Sequence, residues 1–172
     1  MGTGDESGFA DFVDREQPRL LRLAVLLAGD PGHAEDLVQT ALLKTYRHWS
    51  RVSRTASPSA YVRRVLVNTH TSWRRRLSTG ETVLAELPDS ADPGAAPDPD
   101  DDLRAALRSL PPRMRAAVVL RFFEDLTEQQ TAAVMGCSAS TVNTQVARGL
   151  ARLRVALAGP ELSRPGGAEE PA

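Results

Sequence analysis

The sequence predicts an all-α protein: two small helical domains joined by an acidic flexible linker, with a helix-turn-helix in the C-terminal domain. Apolar residues repeat with the helical period in several stretches, and no stretch sustains the alternation of a strand. Residues 81–102 combine eight acids and four prolines with no base, a composition that favours an extended linker. The length of 172 residues suits two small domains.

Composition excludes several protein classes. Hydrophobic residues make up 41% and charged residues 25%, as in ordinary globular proteins. The single cysteine, Cys137, excludes an internal disulfide framework and a zinc site of the paired-cysteine type. The acidic N-terminus is no secretory signal, and the longest apolar stretch, residues 20–29, is interrupted by Arg22. We therefore expect a cytoplasmic, soluble protein without membrane insertion.

The N-terminal domain is predicted to span residues 9–80, after a disordered tail at 1–8. A first helix bends near Pro18 and ends at Gly29. A second helix starts at Asp30, with Pro31 in its first turn, and a third starts at Ser57 in the same way. The apolar stripes of the second and third helices are Leu37, Val38, Ala41, Leu42, Tyr46 and Trp49, and Val62, Val65, Leu66, Thr69, Trp73 and Leu77.

The C-terminal domain is predicted to span residues 103–157, between the linker at 81–102 and a disordered tail at 158–172. Thr127 and Gln130 form a capping box at the start of one short helix, which stops at Gly136. Ser138 caps the next helix, so that the two helices and their tight turn form a helix-turn-helix. An ordinary helical hairpin is the alternative interpretation.

The last helix has the surface that a major-groove helix needs. Opposite its apolar stripe lie short polar and small side chains, which allow close approach to base edges, while Arg148 and Arg152 can reach phosphate or guanine. The residues of this face are Ser140, Thr141, Thr144, Ala147, Arg148 and Ala151.

The helix that begins at Pro58 carries a second basic face. Asn68 and Thr71 lie among arginines that can track a phosphate backbone, and both can read bases, including bases taken out of the stack. A solvated surface face is the alternative. Trp73 offers a stacking platform, but its place on the apolar stripe favours a core role. The arginines are Arg63, Arg64, Arg74, Arg75 and Arg76.

The net charge of −1 conceals this distribution. Residues 58–80 and 103–157 each carry +5, and residues 81–102 carry −8. Two basic modules are therefore separated by an acidic segment, which is typical of a protein with two nucleic-acid surfaces.

Catalytic, metal and cofactor sites are not predicted. His33, His48 and His70 lie on different elements and lack cysteine or carboxylate partners at ligand spacing. Cys137 has no adjacent base, which favours a small apolar role. Since the chain also lacks a phosphate-binding glycine loop, we expect no enzyme activity and no cofactor.

Three stretches in order resemble an extracytoplasmic-function (ECF) sigma factor of RNA polymerase. They are GDPGHAEDLVQTALLKTYRHW (29–49), SAYVRRVLVNTHTSWRRR (59–76) and LPPRMRAAVVLRFFEDLTEQQTAAVMGCSASTVNTQVARGLARLR (110–154). The segment VRRVLVNTHTSWRRR is especially similar to sequences of the actinobacterial SigE family.

The resemblance implies promoter-specific transcription initiation in complex with core polymerase, which the protein contacts through the β′ clamp helices and the β flap. Residues 9–80 correspond to sigma region 2, which melts and reads the −10 element, and residues 103–157 to region 4, which reads the −35 element. An anti-sigma protein is a further partner that such proteins often have. The implied contacts are Asp36, Leu37 and Gln39 to the clamp helices; Arg63, Arg64, Asn68, Thr71, Arg74, Arg75 and Arg76 to the −10 element; and Ser140, Thr141, Asn143, Thr144, Arg148 and Arg152 to the −35 element.

The sequence departs from the family pattern at three positions. The family often has Asp at Ser72, a basic residue at Asn143 and Arg at Gln145. Loss of the two charges at positions 143 and 145 indicates a different −35 sequence or weaker phosphate contact. A free-standing helix-turn-helix repressor or activator, which would need a dimer surface, and a protein-binding helical module remain the alternative functions.

Overall fold

The computed structural model describes residues 3–79 and 99–159, and the regular elements in both ranges are α-helices. We call these ranges the N-terminal unit and the C-terminal unit. The helices are α1 (Thr3–Ala28), α2 (Pro31–Tyr46), α3 (Trp49–Val52), α4 (Pro58–Ser78), α5 (Pro99–Arg108), α6 (Pro112–Phe122), α7 (Glu128–Met135) and α8 (Ala139–Leu157). The predicted all-α fold class is confirmed.

Local capping chemistry sets the predicted helix ends. The side chains of Asp30, Ser57 and Ser138 each accept a hydrogen bond from a backbone N–H in the first turn of the helix that follows. Thr127 and Gln130 form the complete, reciprocal capping box of α7. Gly136 ends α7 in the left-handed conformation, with a φ of 65°.

Two helices extend into segments that the sequence predicted to be unstructured. Helix α1 begins at Thr3, inside the predicted tail at 1–8, and continues through Pro18 as one helix. Helix α5 begins at Pro99, inside the predicted linker at 81–102. Its first turn holds Asp100, Asp101 and Asp102, whose negative charges favour the positive end of a helix dipole. The rest of the predicted linker, 81–98, and most of the predicted C-terminal tail, 160–172, lie outside the described residues.

Each unit packs its long helices around apolar stripes. In the N-terminal unit, α1 packs on α2, and α2 packs on α4. In the C-terminal unit, α8 packs closely on α6 at Gly149, where an added Cβ would lie 2.7 Å from Val118 Cγ2. That approach fixes which side of α8 faces the core and which side faces solvent.

The two units also pack on each other, which the sequence did not predict. Helix α1 contacts α5 and α6, and α4 contacts α6 and α7. Leu107 and Leu120 of the C-terminal unit belong to the same continuous hydrophobic core as Leu27 and Leu66 of the N-terminal unit. In the described parts of the chain, one core therefore serves both units.

A buried arginine binds three carbonyls at the ends of two helices at this junction. The Arg115 guanidinium donates hydrogen bonds to the carbonyls of Leu27 at 2.7 Å, Arg108 at 2.7 Å and Leu110 at 3.2 Å. These carbonyls lie at or just beyond the C-terminal ends of α1 and α5, where backbone acceptors lack helical partners. Burial, with a smaller contribution from the charges of Arg74 and Arg108, lowers the pKa of Arg115 to about 10.

Glu124, in the loop after α6, joins the C-terminal unit to two helices of the N-terminal unit. Its Oε2 lies 3.0 Å from Arg63 Nε on α4 and 3.2 Å from Arg19 on α1. The side chains of Arg63 and Glu124 are only 10% and 7% exposed. The pair is thus largely removed from water, and loss of either charge would leave the other poorly compensated.

His70 lies on α4 close to Arg115 and is buried. Burial, with smaller contributions from the charges of Arg115 and Arg74, lowers the pKa of His70 to about 4. The histidine is therefore neutral in the folded protein at neutral pH.

We predict that this histidine makes the fold acid-sensitive. The unfolded chain binds a proton at His70 below about pH 6.5, whereas the folded chain does not until about pH 4. Stability is therefore fully present above pH 6.5 and falls as the pH drops, by about 2 kcal/mol at pH 5. Urea unfolding at pH 7, 6 and 5 measures this loss.

His70→Gln should flatten the dependence between pH 6.5 and 5, and His48→Gln, at an exposed histidine, should not. An equal pH slope in wild type and His70→Gln would contradict the prediction.

Candidate DNA and polymerase interfaces

Helix α4 presents most of the predicted basic face to solvent. Arg64, Asn68, Arg74, Arg75 and Arg76 are exposed. Ser57 caps α4, and the apolar stripe that contains Val62 and Leu66 is buried in the core. The basic face, on the opposite side of the helix, therefore points toward solvent. We call Arg64, Asn68, Thr71, Arg74, Arg75 and Arg76 the α4 face.

Trp73 is half-buried and packs against the hydrophobic core. This placement agrees with the core role that the stripe favoured, and the indole is therefore unlike an open stacking platform.

Arg63 does not belong to the exposed face in this structure, so its predicted contact with DNA is corrected. The residue is buried and its guanidinium binds Glu124. Val67, one turn further along α4, is also buried, which shows that this side of the helix lies at the junction between the units. The pattern of α4 alone could not reveal this, because the partner is 61 positions further along the chain.

Asn68 and Thr71 lie beside the C-terminal unit. They line a small cleft together with Val67, Arg113 of α6 and Met135 of α7. Thr71 is half-buried, and its hydroxyl donates to the carbonyl of Val67 at 3.0 Å. Asn68 is exposed, so of these two polar side chains it is the more accessible to a nucleotide.

The predicted recognition helix is α8, and it leaves the predicted side chains at its outer surface. Val142, Gly149 and Leu153 are buried against the core. Ser140, Asn143, Thr144, Arg148 and Arg152 are exposed, and we call these five residues the α8 face.

Thr141 takes part in capping rather than standing free on the α8 face. It is half-buried, its hydroxyl lies 2.9 Å from that of Ser138, and its backbone N–H donates to Ser138 Oγ at 3.1 Å. Thr144 donates its hydroxyl to the carbonyl of Ser140 at 3.1 Å. These local bonds reduce the freedom of both threonines to reach a base.

Asn143 is bonded to the other helix of the motif. Its Nδ2 donates to Glu128 Oε2, in the first turn of α7, at 3.1 Å. This contact was not predicted from the sequence, although Glu128 follows directly after the capping residue Thr127.

The residues predicted to face the polymerase clamp divide between surface and core. Asp36 and Gln39 are exposed on α2, but Leu37 is 0% exposed and packs in the hydrophobic core. The predicted contact of Leu37 with a partner is therefore wrong for this structure. Leu37 belongs to the same apolar stripe as Val38 and Ala41, which α1 and α4 cover.

Sequence reasoning missed a different leucine on the exposed side of α2. Leu43 is 53% exposed and lies seven residues, or two helical turns, after Asp36. The available signal was this spacing, since a leucine two turns from a surface residue shares its face. We call Asp36, Gln39 and Leu43 the α2 face.

An apolar groove lies between the C-terminal end of α5 and the last turns of α8. Ser109, Ala151, Arg152, Val155 and Ala156 line it, and Val155 is 77% exposed. Exposed apolar side chains in a groove are typical of a surface that binds another protein.

Within residues 3–79 and 99–159, no three His, Cys, Asp or Glu side chains lie close enough to share a metal ion. No helix of the described ranges combines the length and apolarity needed to cross a membrane. Cys137 is half-buried in the turn between α7 and α8.

Comparison with known proteins places both units in one family. Residues 12–79 match the family described as sigma-70 region 2, and residues 100–153 match sigma-70, region 4. The RNA polymerase sigma-E factor of Streptomyces avermitilis is 38% identical over 164 residues, covering 94% of this chain and 92% of that protein. The ECF RNA polymerase sigma factor SigE of Mycolicibacterium smegmatis is 32% identical over 170 residues, covering 91% of this chain and 65% of that protein.

A solved structure has the same fold. The sigma factor RpoE from Bartonella quintana, in complex with the anti-sigma factor NepR, superposes with a TM-score of 0.71 at 23% identity, covering 89% of this chain and 98% of that one. The two family matches, together with identity to the sigma-E factor along nearly the whole chain, lead to one conclusion: the chain belongs to the sigma-70 family, as an RNA polymerase sigma factor of the ECF type.

Proposed function

We propose that this protein binds core RNA polymerase, places α8 on the −35 element of a promoter and uses α4 to open and read the −10 element. The observation that carries this proposal is the pair of exposed faces, one in each unit, that set amide or hydroxyl side chains among arginines. Arginines fix a protein on phosphates, and short polar groups read bases. The protein contributes binding and positioning, and the polymerase performs the covalent chemistry.

The α4 face is suited to a strand that is being separated. Its arginines hold the backbone, and Asn68 offers a donor and an acceptor to the edge of a base that has left the stack. Residues 58–80 contain no acid, so the face has no carboxylate of its own to repel DNA.

The α8 face is suited to intact duplex. Ser140 and Thr144 are short enough to let the helix approach the floor of the major groove, and Arg148 and Arg152 reach phosphate or guanine. The turn at Gly136 and the cap at Ser138 set the direction in which α8 leaves the motif.

The α2 face is the proposed contact with the clamp helices of the β′ subunit. It combines the carboxylate of Asp36, the amide of Gln39 and the exposed side chain of Leu43, an apolar anchor with polar neighbours. The groove at Val155 is the proposed contact with the β flap, because it offers an apolar surface at the far end of α8.

Engagement of both promoter elements requires the units to separate. Elements centred near −10 and −35 are about 25 base pairs apart, or about 85 Å of duplex. A compact chain of this length has a radius of gyration of only about 16 Å. Residues 80–98 can span at most about 65 Å between the units. Helices α4 and α8, of 21 and 19 residues, each add about 30 Å of length, so separated units can reach both elements.

Two further proposals concern the junction and the acidic segment. Residues 81–98 carry five acids and no base, and we place them near the template-strand path of the polymerase, where they would mimic nucleic acid. The RpoE relative was solved with an anti-sigma factor, and we propose that a protein of that kind also controls this chain by binding between its two units.

Run-off transcription with core polymerase and a promoter library tests the main proposal. Asn68→Ala should lower promoter opening about tenfold, the effect of one lost base contact, while binding to core polymerase stays unchanged. Leu43→Ala should instead weaken binding to core polymerase. Permanganate footprinting measures opening, and co-purification with the polymerase measures binding.

Equal loss of opening and polymerase binding in Asn68→Ala would assign Asn68 a structural role. The absence of both polymerase binding and protein-dependent transcripts with wild type would refute the proposed function.

Glu124→Gln tests the closed junction. The substitution leaves Arg63 largely buried without its counter-charge, which should destabilise the compact form by about 3 kcal/mol. Separation of the units should also uncover the side of Asn68 and Thr71 that faces the C-terminal unit, and so increase affinity for a single-stranded −10 oligonucleotide several-fold. Urea unfolding and fluorescence anisotropy measure the two effects.

Asp125→Asn is the matched control. It removes the same charge at the next position, which is exposed, and asparagine tolerates the positive φ of 52° found there. Equal behaviour of the two variants would show that the Glu124 ion pair does not hold the junction.

A further inference from the structure

The side chain of Asn143 on α8 is hydrogen-bonded to Glu128 of α7. Its Nδ2 lies 3.1 Å from a carboxylate oxygen of Glu128. Asn143 is exposed, and the bond joins α8 to the first turn of α7. The amide is thus held from outside its own helix.

The chemistry of the partner fixes which way the amide points. An ionised carboxylate only accepts hydrogen bonds, whereas an amide has a donor end and an acceptor end. Reversal of the amide would bring Oδ1 of Asn143 against Glu128 Oε2, which would be two acceptors in contact. Glu128 therefore favours one orientation of the amide, with Nδ2 toward α7.

This orientation leaves a defined pair of groups for DNA. When the N–H that points away from Oδ1 donates to Glu128, the second N–H lies on the same edge of the amide as Oδ1, and this edge can face DNA. A donor beside an acceptor in one plane matches the N7 acceptor and the N6 amino donor that adenine presents in the major groove. Guanine presents two acceptors at the same edge and would oppose Oδ1.

We propose that Glu128 is a positioning residue that makes Asn143 select adenine at one base pair of the −35 element. This inference rests on the proposed function, because it concerns the helix assigned to that element. The same carboxylate lies at the N-terminus of α7, where a DNA phosphate would otherwise find free N–H groups and a positive helix end. Glu128 therefore increases base selectivity and weakens backbone affinity.

The test uses holoenzyme assembled from the full chain and core polymerase, with a promoter library randomised over the −35 element. Sequencing of bound promoters gives the base preference at each position, and total binding gives the affinity. Wild type should prefer adenine at one position, and Asn143→Ala should lower that preference about tenfold, as expected for one bidentate contact.

Three variants separate orientation from charge. Glu128→Ala should lower the same adenine preference and raise overall affinity, because both the acceptor and the negative charge are lost. Glu128→Gln should raise affinity in the same way but keep part of the preference, since its amide oxygen can still accept from Asn143. The double variant Asn143→Ala with Glu128→Ala should lose no more preference than Asn143→Ala alone.

Gln129→Ala is the matched control, at an exposed neighbouring position on α7, and it should change neither quantity. Thermal unfolding of every variant checks that the capping box at Thr127 still holds α7. An unchanged adenine preference in Glu128→Ala, or a wild-type preference for guanine at the position that Asn143→Ala affects, would overturn the inference. Failure of wild-type holoenzyme to select promoters at all would instead refute the proposed function.

Discussion

The hydrogen bonds of Arg115 are the interaction on which the arrangement of the two units depends. One guanidinium binds the carbonyl of Leu27 in the N-terminal unit and the carbonyls of Arg108 and Leu110 in the C-terminal unit. These acceptors lie where helices end and their negative dipole ends converge. Because the arginine is buried, apolar side chains can close around it, and one core extends through both units. Burial and the charge of Arg115 also lower the pKa of His70, which is therefore neutral at neutral pH.

This closed junction bears on the proposed function, because it engages groups that the sequence predicted to contact DNA. Arg63 binds Glu124, and Asn68 and Thr71 share a cleft with Arg113 and Met135 of the other unit. Of these groups, Arg63 is buried while the units are packed together, Thr71 is half-buried and Asn68 is exposed. Under the proposed function, the stability of the junction would therefore affect how readily α4 engages a promoter.

The features that the sequence predicted best are those decided within a few residues. The caps at Asp30 and Ser57 and the turn at Gly136 depend on bonds and backbone angles that span one helical turn. The fold class, the helix-turn-helix and most exposed site residues followed from them and from the apolar period. The burial of Arg63 could not be predicted from the pattern of α4, because its partner, the carboxylate of Glu124, lies in the other unit. For Leu37, two predictions conflicted: its place on the apolar stripe indicated the core, and the family resemblance indicated a partner contact. The residue is buried in the core, so the stripe was the better guide.

The few acids of the C-terminal unit bind side chains on both α4 and α8. Between residues 103 and 157 the chain carries eight arginines and only Glu124, Asp125 and Glu128 as acids. Two of these three carboxylates bind side chains that belong to predicted DNA contacts, Arg63 on α4 and Asn143 on α8. Because residues 58–80 contain no acid, a carboxylate that restrains α4 has to come from elsewhere in the chain. These carboxylates thus restrain two side chains that the sequence predicted to contact DNA: Glu124 binds a cation of α4, and Glu128 accepts a hydrogen bond from an amide of α8.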